Sequence, residues 1–205
     1  MLPSERTKEN YCKIFEACVN FPTYVTNYRG KQNEGKTDEM LCAELLELVK
    51  CGATLVDVMG DMFCHTEGEL TDNSEAITKQ IEFIEKVHKA GGEVLMSSHV
   101  LKYTDAEHCL EIAREHKKRG ADISKIVTHA NNNIEQIENL RIIDKLKNEL
   151  DLPFLFLCGG RCEAVRRIGA LLGCCMWLCV YEHDELSTPS QPRIDKLKAV
   201  IDNFN

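Results

Sequence analysis

Lys125 lies within Ile123-Ser-Lys-Ile-Val127, a lysine inside an otherwise apolar run. A charge in a core costs several kcal/mol unless paired, and burial lowers a lysine's pKa, so an amine held there becomes a carbonyl nucleophile. The ordinary alternative is a lysine that snorkels out or pairs with an acid. The run alone does not choose between them. His99 closes the run Val94-Leu-Met-Ser-Ser-His99. A histidine there is well placed for proton transfer near neutral pH, though a lone one is more often structural. A nucleophilic lysine in the next run would favour the functional reading.

The surrounding chain alternates strand-like and helical patterns. Tyr24–Tyr28, Thr54–Met59, Val94–His99, Ile123–Thr128, Phe154–Leu157 and Met176–Val180 read as strands. Helical spacing follows Thr37, Ser74 and Thr104, and recurs over Ile134–Leu150, Val165–Leu172 and Ile194–Ile201. Thr104 with Glu107 reads as a capping box. Ile77, Ile81, Ile84 and His88 read as one buried stripe, and Ile134, Ile137, Arg141 and Leu150 as another. About six βα units in a row imply a parallel sheet covered by helices, in one domain over residues 1–205. Periodicity does not separate a barrel from a doubly wound sheet. In either, chemistry gathers at the C-terminal ends of strands. Arg29, Asp57, Asp61, His99, Lys125, His129, Arg161, Glu182 and His183 fall there.

Composition narrows the partners. The 33 acidic against 25 basic residues leave a net charge of -8, which disfavours nucleic acid but not a small anion. No apolar run suits a membrane span, and the opening residues lack a signal-peptide pattern, so a cytoplasmic protein is expected. The eleven cysteines lack finger-like spacing; neither disulfides nor a metal is expected. No GxGxxG or P-loop is present.

Five segments together resemble the type I 3-dehydroquinate dehydratases. Glu93-Val-Leu-Met-Ser-Ser-His99 with Thr104 resembles that family's strand ending in Ser-x-His before Thr-Pro. Gly120-Ala-Asp-Ile-Ser-Lys125-Ile resembles its Ala-Asp-Ile-x-Lys-Ile segment. Tyr28-Arg29 followed by Glu34-Gly35, Arg167-Ile168 and Ser187-Thr-Pro-Ser-Gln191 resemble three more, in the family's order and at nearly its spacing. The resemblance implies a (β/α)8 TIM barrel and a Schiff-base lyase that dehydrates 3-dehydroquinate to 3-dehydroshikimate in the shikimate pathway, without cofactor or metal. Lys125 would form the imine, His99 would move the protons, and Glu34 would orient His99. Arg167 would clamp the substrate carboxylate, with Arg166 as the alternative that a one-residue gap allows. Arg29 would also bind substrate, and Ser187 and Gln191 would sit on a lid. Outside that resemblance, Arg29 and Arg167 default to surface ion pairs, Glu34 to a solvated carboxylate, and Ser187 and Gln191 to plain loop residues.

The chain also departs from the family. The similarity begins at a helix over Glu5–Val19 that matches the second barrel helix, so an N-terminally shortened barrel of about six units is expected. A homodimer or another partner would then cover the missing sector, unless the chain is a fragment or forms a smaller open sheet. Val100, Gly60, Met62, Asp105 and Ser190 replace residues usual in the family, and His129 has no counterpart. Two rival readings follow: a ligand-binding homologue with weakened catalysis, and another lysine-dependent lyase or aldolase.

Overall fold

The computed structural model describes residues 3–185 and 187–204. In chain order its elements are α1 (Lys8–Ala17), β1 (Tyr24–Val25), α2 (Asp38–Lys50), β2 (Leu55–Met59), α3 (Ser74–Lys89) and β3 (Glu93–His99). There follow α4 (Ala106–Lys118), β4 (Ile123–Ala130), α5 (Asn133–Glu149), β5 (Phe154–Gly160), α6 (Val165–Leu172) and α7 (Ile194–Asp202). The chain divides into two compact units: residues up to Ser97 with His116–Asp122, and Ser98–Glu115 with the chain from Ile123 onward.

In the first unit β1, β2 and β3 run parallel, with Tyr24 beside Leu55 and Asp57 beside Leu95. Strand side chains alternate between faces. Val56, Val58, Val94 and Met96 join Leu41 and Leu45 of α2 and Phe83, Ile84 and Val87 of α3 in one buried cluster. Asp57, Leu95 and Ser97 therefore belong to the face turned away from those helices. In the second unit β4 and β5 are parallel from Ser124 beside Phe154 to Ala130 beside Gly160. The Cys158 thiol donates to the Gly159 carbonyl at 3.2 Å. Alternation along β4 sets Thr128 on one face and Lys125, Val127 and His129 on the other.

Several local expectations are corrected. Met176–Cys179 forms no strand: Cys175 N–H donates to the Phe154 carbonyl at 2.8 Å, the backbone then leaves β5, and Val180 pairs instead with Arg193. Apolar composition there lacked a ladder to join. On α4 the cap is Asp105, whose Oδ1 accepts the His108 N–H at 2.9 Å, and not Thr104. On α3 the buried stripe is Ala76, Gln80, Phe83, Ile84 and Val87. Gln80 is drawn inside because its amide donates to the Gly60 and Met62 carbonyls. His88 instead pairs with Asp122 at 2.9 Å. On α5 the buried face is Asn139, Ile142, Ile143 and Leu146, leaving Ile134 79% and Ile137 67% exposed.

His116, in the last turn of α4, is fully buried. Burial first, then the Arg119 guanidinium, lowers its pKa to about 3, although Asp57 pulls the other way. The folded state keeps this imidazole neutral, whereas the unfolded chain protonates it near pH 6.5. Below that pH the unfolded state binds the extra proton, so stability present above about pH 6.5 is lost as pH falls toward 3. The expected loss by pH 5 is about 2 kcal/mol. Urea midpoints for the parent and His116→Gln check this. The parent should lose about that much more than the variant between pH 7 and 5, and equal losses would mean a protonated His116 in the fold.

Candidate active site

Lys125 sits in the middle of β4 and is only 4% exposed. The strand is buried from Ser124 to Thr128, which suits the apolar Ile126 and Val127 that follow the lysine. Its register partner is Leu155 on β5, with Val127 facing Leu157 and His129 facing Gly159. His99, half-buried, ends β3. The next residue, Val100, donates its N–H to the Val127 carbonyl at 2.8 Å, and His129 N–H donates to the Lys102 carbonyl at 3.1 Å. The segment leaving His99 therefore runs along the second half of β4. His99 and Lys125 are carried on hydrogen-bonded neighbouring segments.

The end of β5 is built from glycine. Gly160 has φ of 80°, and a Cβ there would lie 2.5 Å from the Ala130 carbonyl oxygen, which the N–H groups of Arg161 and Cys162 also approach. Only glycine fits that approach without displacing backbone. Past it, Arg166 on α6 is 8% exposed, and its Nε donates to the Cys158 carbonyl at 2.7 Å. Burial lowers its pKa, with Glu163 opposing. Arg167, one helical step of about 100° away, is exposed and lies 3.9 Å from the Glu163 carboxylate. Of the adjacent pair, Arg166 faces the strand end that carries the site.

Ser187 and Gln191 lie in the loop between Val180 and Arg193, whose base is closed by Val180 N–H to the Pro192 carbonyl and Ile194 N–H to the Val180 carbonyl. The Ser187 hydroxyl accepts from Asp184 N–H and donates to the Asp184 carbonyl, both at 2.9 Å. Gln191 is half-buried and donates its N–H to the Thr188 carbonyl. Leu186, in the same loop, lies outside the described residues.

The first unit holds Arg29 and Glu34. Arg29 grips Asp38 with Nε and Nη2 at 2.8 and 2.6 Å and reaches Asp61 with Nη1 at 2.7 Å. Its planar fork is thus already filled by two carboxylates. Burial works against the Asp38 charge, yet the Arg29 hydrogen bond and the Phe63 N–H hold that carboxyl below the usual range. Glu34 is exposed at the end of a short turn, Lys31–Asn33. Buried Asp57 accepts from the Ser97 hydroxyl at 2.6 Å and from the hydroxyls of Tyr24 and Tyr28. Burial, then the Asp57 charge, pushes both phenols upward. The sequence marked Asp57 only as a polar residue near a strand end, and its tyrosine partners were not foreseen. A pocket of about 520 Å³ in this unit touches only Arg29 among the candidate residues. No trio of His, Cys, Asp or Glu among the described residues is arranged to hold a metal. No helix among them is long and apolar enough to cross a membrane.

The family model for type I 3-dehydroquinase matches residues 4–204. The chain belongs to that family. Similar solved structures agree on the fold. The 3-dehydroquinate dehydratase of Geobacillus kaustophilus is 18% identical at a TM-score of 0.80, covering 98% of this chain and 75% of that one. The type I enzyme of Clostridium difficile, solved with covalently modified comenic acid, is 16% identical at 0.75, covering 98% and 77%. Deoxyribose phosphate aldolase from Aeropyrum pernix is more distant, at a TM-score of 0.54 and 16% identity over 97% of this chain and 75% of that one. A comparison with curated proteins gives no match. The fold is therefore the α/β barrel type of the type I dehydroquinases, as the five segments implied. Lys125 lies in β4 and His99 closes β3, the strands that the sequence pattern predicted for them.

Proposed function

We propose that this dehydroquinase-family chain converts 3-dehydroquinate to 3-dehydroshikimate through an imine on Lys125, as a lyase of the shikimate pathway. The observation that carries the reading is the placement of Lys125: a lysine buried in β4, the strand whose second half runs beside the segment that leaves His99. The amine adds to the C3 ketone and water leaves, giving an iminium. That group draws electrons from C2, so the C2 proton becomes acidic. His99 takes this proton, the electron pair forms the C1–C2 double bond, and the C1 hydroxyl leaves as water with a proton from His99. Hydrolysis of the imine frees Lys125. The eleven free thiols suit a reducing, cytoplasmic setting.

The carboxylate clamp in this proposal is Arg166. Its Nε is committed to Cys158, while its two Nη groups make no hydrogen bond to the described residues. Arg166→Ala should raise KM about 30-fold, the scale of a charge-assisted pair. Arg167→Ala should change KM by less than about twofold. Initial-rate kinetics of the two variants decide, and the opposite order would return the clamp to Arg167. Ser187 and Gln191 are proposed to cover bound substrate. Glu34, standing in solvent, is assigned no step.

The test is trapping. Protein mixed with 3-dehydroquinate and reduced with borohydride should carry one substrate-derived adduct, mapped by peptide mass to Lys125. A folded chain that binds substrate but yields no adduct would instead support a binding homologue. The filled fork of Arg29 is the observation that favours this second reading.

A further inference from the structure

The histidine that the resemblance leaves unexplained, His129, lies four residues beyond Lys125 on β4. Four residues return to the same strand face, about 13 Å further toward the C-terminal end. Its register partner is Gly159. A Cβ on Gly159 would lie 2.7 Å from both Cδ2 and Nε2 of the His129 ring. No real side-chain carbon approaches that closely. The Cδ2–Nε2 edge of the imidazole is therefore turned to Gly159, in space that glycine leaves open. The ring thus reaches across to the neighbouring strand.

A second observation meets the first at the same peptide. Arg166 donates to the carbonyl of Cys158, the residue bonded to Gly159. The imidazole and the guanidinium thus gather around the Cys158–Gly159 peptide, at the C-terminal end of β5. The ring is half-buried, and its nitrogens make no hydrogen bond to the described residues. A purely structural histidine at this depth would be expected to spend its ring nitrogens on the protein.

We infer that His129 is a substrate-binding residue of the Lys125 site, its imidazole hydrogen-bonding an oxygen of the carboxylated ring beside the Arg166 clamp. This rests on the proposed dehydratase reading and adds a specificity contact to it. The contact forms in the ground state and persists through elimination, so it should act on binding more than on the chemical step.

The test combines calorimetric affinity for 3-dehydroquinate, steady-state kinetics and borohydride trapping. His129→Leu should weaken affinity and raise KM about tenfold, the worth of one hydrogen bond, with kcat within about threefold. His129→Gln, which restores a donor and an acceptor, should recover most of the loss. Gly159→Ala, which must lift the ring while leaving every functional group in place, should imitate His129→Leu, and circular dichroism confirms folding. All three should still give the Lys125 adduct. Unchanged affinity in a folded His129→Leu overturns the inference. An equal loss in the leucine and glutamine variants does so too, because packing alone would account for it. A parent protein that binds substrate without an adduct at Lys125 sinks the imine reading instead, and calorimetry still reads the His129 contact. A parent that does not bind 3-dehydroquinate overturns both.

Discussion

Lys125→Ala should reduce conversion of 3-dehydroquinate to background, a loss on the order of 10⁴-fold or more, while substrate binding stays measurable. The argument is electronic. Without an iminium at C3, the C2 proton is no more acidic than that of an ordinary ketone, and no nearby group of the chain can substitute as an electron sink. In the proposed site, binding depends on other groups, chiefly the guanidinium at the end of β5, so it should survive. Lys125→Arg sharpens the result. It keeps a cation in the strand but lacks a nucleophilic amine, and should be as inactive as the alanine variant. The conjugated enone of the product gives a direct ultraviolet readout, and calorimetry reads binding. Turnover within tenfold of the parent in either variant would remove the imine from the mechanism. Truncation in a buried strand opens a cavity, so a thermal midpoint must accompany the rates.

The sequence made Lys125 legible because a charged residue interrupting a buried strand is a local contradiction, and local contradictions tend to mark function. A different rule, a polar residue near the C-terminal end of a strand, drew attention to Asp57, although its partners Tyr24, Tyr28 and Ser97 come from other segments. Elements with strong local signals were equally readable: Thr37 accepts the Met40 N–H at 3.4 Å as the cap of α2, and α6 spans Val165–Leu172. What failed was whatever depended on distant partners. Hydropathy could not announce that Gln80 would be buried to satisfy two carbonyls, or that Met176–Cys179 would lack a neighbouring strand. Arg29 has its acids nine and 32 positions away, and no spacing rule predicts them. The choice between Arg166 and Arg167 turns on one helical step, smaller than the uncertainty of aligning a loop. His129 and Gly159 were both visible as residues, but their meaning lay in the register that sets one on the other.

His99→Ala separates imine formation from elimination. In the proposed mechanism the iminium can form without His99, since the amine and the ketone suffice, but proton removal from C2 and proton delivery to the C1 hydroxyl both pass through its ring. General acid–base catalysis contributes about 10²- to 10⁴-fold, so kcat should fall on the order of 10³-fold. The imine should then accumulate, and borohydride should capture a larger share of Lys125 as adduct than in the parent during steady turnover. A rate loss without accumulation would place His99 before the imine, in assembling or orienting the site. Near-normal elimination would show that another group moves the protons, and His129, on the neighbouring strand, would be the first to test in the double variant. That double variant also reports coupling: if His99 alone handles the protons and His129 only binds, their effects fall on kcat and KM respectively and should multiply, whereas shared proton transfer would make them non-additive.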